Sequence, residues 1–278
     1  MFVFEWMIDW LYGEILKFFS ELFGMMGNMG VEIFDLAWIQ AIVLFFNWFG
    51  WSLFVIGLLV AVFDVAIAMQ SGKASLKDAG LNAIKGFLAV GMFTTVPIEL
   101  YKFCITLQGT LSKDIVSLFQ SSTASNIPEL TTSIITKFTP VASIINLFLI
   151  IALGYCVTKV FFANIKRGGI LLITIAVGSL YMFSVPRGYT DGFMSWCKQV
   201  IALCITAFLQ MTLLMAGLIT WDTNLLMGVG VMLAAGEVPR IAGAFGLDTS
   251  AKFNVMSSYY AAQAAMNAGK SIMKVVAK

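Results

Sequence analysis

Histidine is absent from all 278 residues. This removes the side chain best suited to general acid-base work near neutral pH, and with it the commonest ligand of zinc and copper. Charge is scarce too: Asp, Glu, Lys and Arg make up 12% of the chain, with 17 basic against 15 acidic residues and no basic run interleaved with aromatics. Bulk electrostatics therefore offers no nucleic-acid surface, and any such contact has to be local. The four cysteines, Cys104, Cys156, Cys197 and Cys204, sit in apolar surroundings without C-x-x-C spacing, which reads as packing thiols rather than a redox or metal pair. No G-x-x-x-x-G-K-[ST] loop is present and no G-x-G-x-x-G follows a strand, so an ATP-driven process needs a separate motor. No Ser, Cys or carboxylate has a base partner placed by the sequence. The expectation is a protein that is not an enzyme, with no catalytic residue, cofactor or metal.

Apolar residues are abundant. They form 60% of the chain and the mean hydropathy is +0.91, too high for a soluble domain with a polar surface. No fixed-period repeat, low-complexity segment or stretch long enough for a separate soluble domain interrupts it. The expected fold is an all-α membrane protein with about five transmembrane helices, an amphipathic N-terminal helix and a C-terminal cytoplasmic helix.

Residues 1–35 make the first segment. Glu5 and Asp9 stand where a signal peptide has a basic region, and no small-residue cleavage site follows. At 100° per residue, Met7, Leu11, Ile15, Phe18 and Leu22 share one stripe, while Glu5, Asp9, Glu14, Lys17 and Glu21 collect opposite. Such a helix lies on a surface or a partner. Its acidic face is repelled by anionic inner-leaflet lipid, so it is expected outside the cytoplasm, with 25–30 as a hinge.

Residues 36–221 form the polytopic domain. Apolar runs at 36–63, 86–107, 141–160, 170–185 and 200–221 supply the five spans. The connection after the first carries Lys73, Lys77 and Lys85, residues 108–139 form the longest, outer loop, and Lys166-Arg167-Gly168-Gly169 reads as a tight basic turn. An N-terminus outside gathers Lys73, Lys77, Lys85, Lys159, Lys166 and Arg167 with Arg240, Lys252, Lys270, Lys274 and Lys278 on the cytoplasmic side. It leaves Lys17, Lys102, Lys113, Lys137, Arg187 and Lys198 outside, spread over longer stretches. The bias favours N-terminus out and C-terminus in, whereas a sixth crossing would export the basic tail.

Residues 222–252 contain NLLMGVGVMLAAG at 224–236, shorter than the ~20 residues a crossing needs, hence a re-entrant or interfacial segment. Pro239 then ends it. Asp248-Thr249-Ser250 suit an N-cap, and 253–278 read as the cytoplasmic helix.

Asp64, Glu99, Lys102 and Lys198 are the charges nearest membrane depth. Each costs at least ~2.5 kcal/mol at the bilayer centre unless it meets water or a partner. Either they are accommodated structurally or they line a polar path. In the first case Glu99 and Lys102 pair three apart on one helical face, Asp64 and Lys198 reach the interface by a one-turn shift of their spans, and there is interhelical pairing among the four. Pro97, Pro186 and Pro239 each follow a valine and each breaks or ends a helix, with Pro97 the internal one. Gly154, Gly178 and Gly217 allow close helix packing.

After the last apolar stretch the chain reads Val238-Pro239-Arg240-Ile241-Ala242-Gly243, followed by Ala244-Phe245-Gly246. This element, with the order of spans before it, resembles the TrbL-type polytopic membrane-channel family of conjugative type IV secretion systems. The sequence departs from that family in its small outer loop and in Leu247-Asp248, where a glycine pair is common. The resemblance implies a homo-oligomeric scaffold and channel subunit in the cell (inner or cytoplasmic) membrane. It also implies partners: a motor ATPase, small membrane subunits and pilin-like or surface subunits, with single-stranded DNA and its relaxase, or proteins, as cargo. Pro239, Arg240, Ile241 and Ala242 become candidate partner contacts. Two alternatives remain open: a small secondary transporter built on broken helices, and a holin-like membrane protein.

Overall fold

The computed structural model describes residues 31–70, 72, 75–118 and 144–244, together with Trp10, Glu14, Lys17, Phe18, Glu21, Leu22 and Met25. The described chain is helical, with no strand among its elements. After a 3-10 turn at Glu32–Asp35, α1 runs over Ala37–Gln70, 34 residues or about 51 Å. It is apolar all round, yet it buries only Ile39, Gly50, Phe54 and Gly57, leaving Phe45, Trp48 and Phe63 exposed. An uncovered helix of that composition faces lipid or other apolar neighbours.

Helix α2, Leu76–Met92, starts where the Ser75 hydroxyl accepts the Asp78 N–H at 3.3 Å. Helix α3, Thr95–Leu118, follows at a 52° bend. Pro97 falls in the first turn of α3, where a missing N–H costs little, and Thr95 and Val96 before it are still helical. Helix α4 covers Ile144–Tyr181. A 3-10 turn at Val185–Arg187 then leads to Gly188, whose φ of 92° suits a residue without Cβ, and the chain reverses into α5, Asp191–Thr223. Asn224 caps α6, Leu225–Ala235, by accepting the Met227 N–H at 3.2 Å, and α7 occupies Val238–Ala244.

Three of these helices are long and apolar enough to cross a membrane, or four if the bent α2–α3 pair counts as one span. The chain is a membrane protein, and its described part is all-helical.

This differs from the expected five spans, and α4 is the reason. The anticipated third and fourth spans are one helix of 38 residues, about 57 Å, and Lys166-Arg167-Gly168-Gly169 is helical within it. Two glycines and a basic pair look like a turn locally, costing about 1 kcal/mol per glycine in a helix, but packing of the apolar flanks overrides that preference. The connection also begins and ends differently. Lys77 and Lys85 already lie in α2, and the anticipated outer loop is helical from 108 to 118, with Gln108 buried. Residues 119–143 lie outside the described residues, as do most of the N-terminal helix and the whole of 245–278.

Arg187, assigned by the charge bias to the side opposite Lys73–Lys85, donates to Asp64 at 2.9 Å. The side chain of Asn82 packs against Gly188. The α4–α5 turn therefore shares a side with the end of α1 and the start of α2. At the other end of α1, Lys102 reaches Asp35 at 3.4 Å.

Two apolar cores result. The first joins α1, α2, α3 and the adjoining parts of α4 and α5 through Phe54, Val90, Phe93, Tyr101, Leu171, Ile175, Met182 and Trp196. Rings fill glycine notches in it: Phe93 sits on Gly50 and Trp196 on Gly178, while Trp196 Nε1 donates to the Thr174 carbonyl at 2.7 Å. The second joins the rest of α4 and α5 to α6 through Leu153, Val157, Met211, Leu214, Met215, Leu218, Trp221 and Met232, and Leu22 is buried with them.

Candidate functional site

Helix α6 folds back along α5 because glycines let the two backbones touch. A Cβ at Gly217 would stand 2.5 Å from Met232 Cγ and 2.9 Å from the Gly228 carbonyl, and one at Gly228 would stand 2.7 Å from the Trp221 backbone. This is close packing through small residues, the kind that holds helices together where water supplies no driving force.

At the far end of α6 three helices are joined by one polar chain. Arg167 on α4 donates to Asn164 Oδ1 at 2.6 Å and to Gln210 Oε1 on α5. Gln210 Nε2 donates in turn to the Ala235 carbonyl at 3.0 Å. That carbonyl is among the last four of α6, which have no partner within their own helix. Asn164, Arg167 and Gln210 are all buried, Arg167 at 4% exposure, and among the described residues no carboxylate pairs with the guanidinium. Its charge is balanced by amide oxygens and, through Gln210, by the negative end of the α6 dipole. Lys159 adds a second cation there, since a Cβ at Gly236 would stand 2.7 Å from its Nζ.

A buried cation without a counter-ion is a poor source of stability, because several kcal/mol of desolvation must be recovered from hydrogen bonds. What such a group supplies is position. It fixes the end of α6, and so the residues that follow immediately. Across from it, Tyr101 on α3 lies within electrostatic reach of Arg167. The Tyr101 hydroxyl is buried without a hydrogen-bond partner among the described residues, which adds polarity to this level of the bundle.

The residues singled out by sequence are dispersed. Asp64 pairs with Arg187, and Lys102 with Asp35 rather than Glu99, while Glu99 and Lys198 are exposed. Asp35 and Asp64 lie at opposite ends of α1, roughly 43 Å apart at helical rise, so Asp64 and Lys102 do not converge. Pro239 is the second residue of α7 instead of the stop of α6, which ends at Ala235 with Gly236 as its C-cap. Arg240 Nε donates to Glu237 at 2.6 Å and stays exposed, as does Ile241, while Pro239 and Ala242 are half-buried. No group of three or more Cys, Asp or Glu that could hold a metal comes together among the described residues.

The V-P-R-I-A element thus follows directly on a helix whose end is held by the buried tie. The sequence model of a family described as conjugal transfer protein TrbL matches residues 1–277. The chain belongs to the TrbL family. No curated protein and no solved structure gave a match. Membership in the TrbL family makes the chain a membrane component of conjugal transfer, that is, of type IV secretion machinery.

Sequence reasoning missed the tie in this TrbL-family chain. Two local signals were available. Asn164 and Arg167 are three apart, hence on one helical face, and Gln210 is the lone amide in an apolar run. Reading 166–169 as a turn placed Arg167 in water, where it needed no partner.

Proposed function

We propose that this TrbL-family chain is an integral scaffold and channel subunit of a conjugation machine, helping DNA-protein or protein substrates across the cell membrane. The match over residues 1–277 carries this reading. It is supported physically by α1, whose apolar surface stays largely uncovered and suits both lipid and neighbouring copies. A wide lumen needs several chains, because no single set of spans here has a long polar face. Copies assemble with a motor ATPase, small membrane subunits and pilin-like or surface subunits, and the motor supplies the energy, the chain itself catalysing nothing.

In this reading the N-terminus is outside, the lysine-bearing end of α2 is cytoplasmic, and Pro239, Arg240, Ile241 and Ala242 meet a partner. Helix α6 is about 16 Å long, half the ~30 Å hydrocarbon core, too short to cross it. Deleting the gene from a conjugative host abolishes DNA transfer, and the tagged protein co-purifies with the motor ATPase. Undiminished transfer without it contradicts the proposal.

One observation favours the secondary-transporter reading: the 52° break in α2–α3, a geometry that transporters use at binding sites. The separation of Asp64 from Lys102 weakens it. Solute flux by the protein alone in vesicles is the result that reading requires.

A further inference from the structure

The bend between α2 and α3 opens a groove against α5, about 590 Å³ in volume. Ala89, Phe93, Pro97 and Trp196 are buried along it, while Met92 and Met194 are exposed at its edges. Polarity is confined to one end, where Lys85 of α2 and Thr190, just before α5, line the opening. Lys85 is exposed and has no carboxylate partner among the described residues. From Lys85 to Leu100 the groove follows 16 residues of helix, no more than about 22 Å at helical rise, compared with about 15 Å for one leaflet's hydrocarbon. A long apolar trough in a membrane protein, with a single unpaired cation at the end that shares a side with Asp64 and Arg187, matches a molecule with an acyl chain and an anionic head.

We propose that this groove is a binding site for an anionic phospholipid, one acyl chain lying along Phe93, Pro97 and Trp196 and the phosphate on Lys85. The ligand wedges the bend open from the bilayer side, so its occupancy bears on how α3 is set against α5. The inference stands independently of the conjugation role, since it uses only the groove, its charge and the membrane.

The test is native mass spectrometry of the detergent-purified full chain, titrated with phosphatidylglycerol and, separately, phosphatidylcholine. Wild type is expected to hold one phosphatidylglycerol at least about tenfold more tightly than phosphatidylcholine, which corresponds to 1.4 kcal/mol. Lys85→Gln, an exposed position that leaves the fold intact, loses that preference but keeps a bound lipid, and Lys77→Gln on the same helix changes nothing. Val96→Trp, at the half-exposed edge, lowers the affinity for both lipids. Equal binding of the two lipids by wild type, no retained lipid, or the same loss in Lys77→Gln overturns the proposal. So does cross-linking of a cysteine at 96 to a second copy of the chain in place of lipid.

Discussion

The two cores of this membrane protein are built on different principles. The first, around Phe93 and Trp196, uses rings set into glycine notches and is bounded by ion pairs at both ends of α1. The second, around Met211, Met215 and Met232, is methionine-rich with Trp221 its one buried ring, and it closes on a helix of only 11 residues. Aromatic rings in fixed notches admit few alternative packings, whereas methionine adapts to several. The first core sets where the spans stand. The second holds α6, the helix leading into the V-P-R-I-A element, and relies on the Arg167–Gln210–Ala235 tie for a precision its apolar side chains do not give.

The comparison is broken most strongly by filling the backbone contacts. A Cβ at Gly57 runs into the Phe183 carbonyl, and larger groups at Gly217 meet Met232 and the Gly228 carbonyl. Gly57→Val and Gly217→Val are each expected to cost on the order of 3 kcal/mol, read as a fall in thermal midpoint in detergent. The two differ in kind. Gly57→Val disturbs the α4–α5 turn against α1, whereas Gly217→Val expels α6 and raises proteolysis at 224–237 while the first core stays protected.

Next in size is Gln210→Leu. It leaves the Ala235 carbonyl without its partner and deprives Arg167 of one acceptor, for about 2 kcal/mol. Arg167→Met, by contrast, removes the buried charge itself and is expected to change the melting temperature less than Gln210→Leu does, while DNA transfer in the host falls. A stability loss larger than that of Gln210→Leu would show that the arginine stabilises rather than positions.

The smallest effect belongs to the first core's edge. Asp64→Asn breaks an exposed ion pair with Arg187 and is expected to cost less than about 1 kcal/mol, fading further in salt.

How much of this was legible depended on range. Composition and the run at 36–63 announced a lipid-facing helix, Pro97 announced the broken span, and the short glycine-rich run at 224–236 announced a helix too short to cross. The V-P-R-I-A element and the order of apolar runs pointed to the family that the match over 1–277 establishes. The site was hidden because its partners lie far apart in the chain. Arg167 and Gln210 are separated by 43 residues, Asp35 and Lys102 by 67, Asp64 and Arg187 by 123. Local charge spacing offered nearer partners, Glu99 for Lys102 among them, and tertiary packing chose others. Lys166-Arg167-Gly168-Gly169 failed for a related reason: its turn-like composition is a local preference of a few kcal/mol at most, set against the burial of two long apolar flanks.

The central claim, that the tie holds α6 in place over an otherwise adaptable core, is tested most directly by thiol accessibility. In a chain whose four native cysteines are replaced by alanine, cysteine is introduced at Met232 in the second core or Val90 in the first, both buried. Alkylation by N-ethylmaleimide is then timed with and without Gln210→Leu. The account predicts that Cys at 232 labels on the order of tenfold faster once Gln210 is lost, while Cys at 90 is unchanged, because local opening follows the free energy removed from that core alone. Equal rates at 232 with and without the tie, or equal acceleration at both positions, would contradict it.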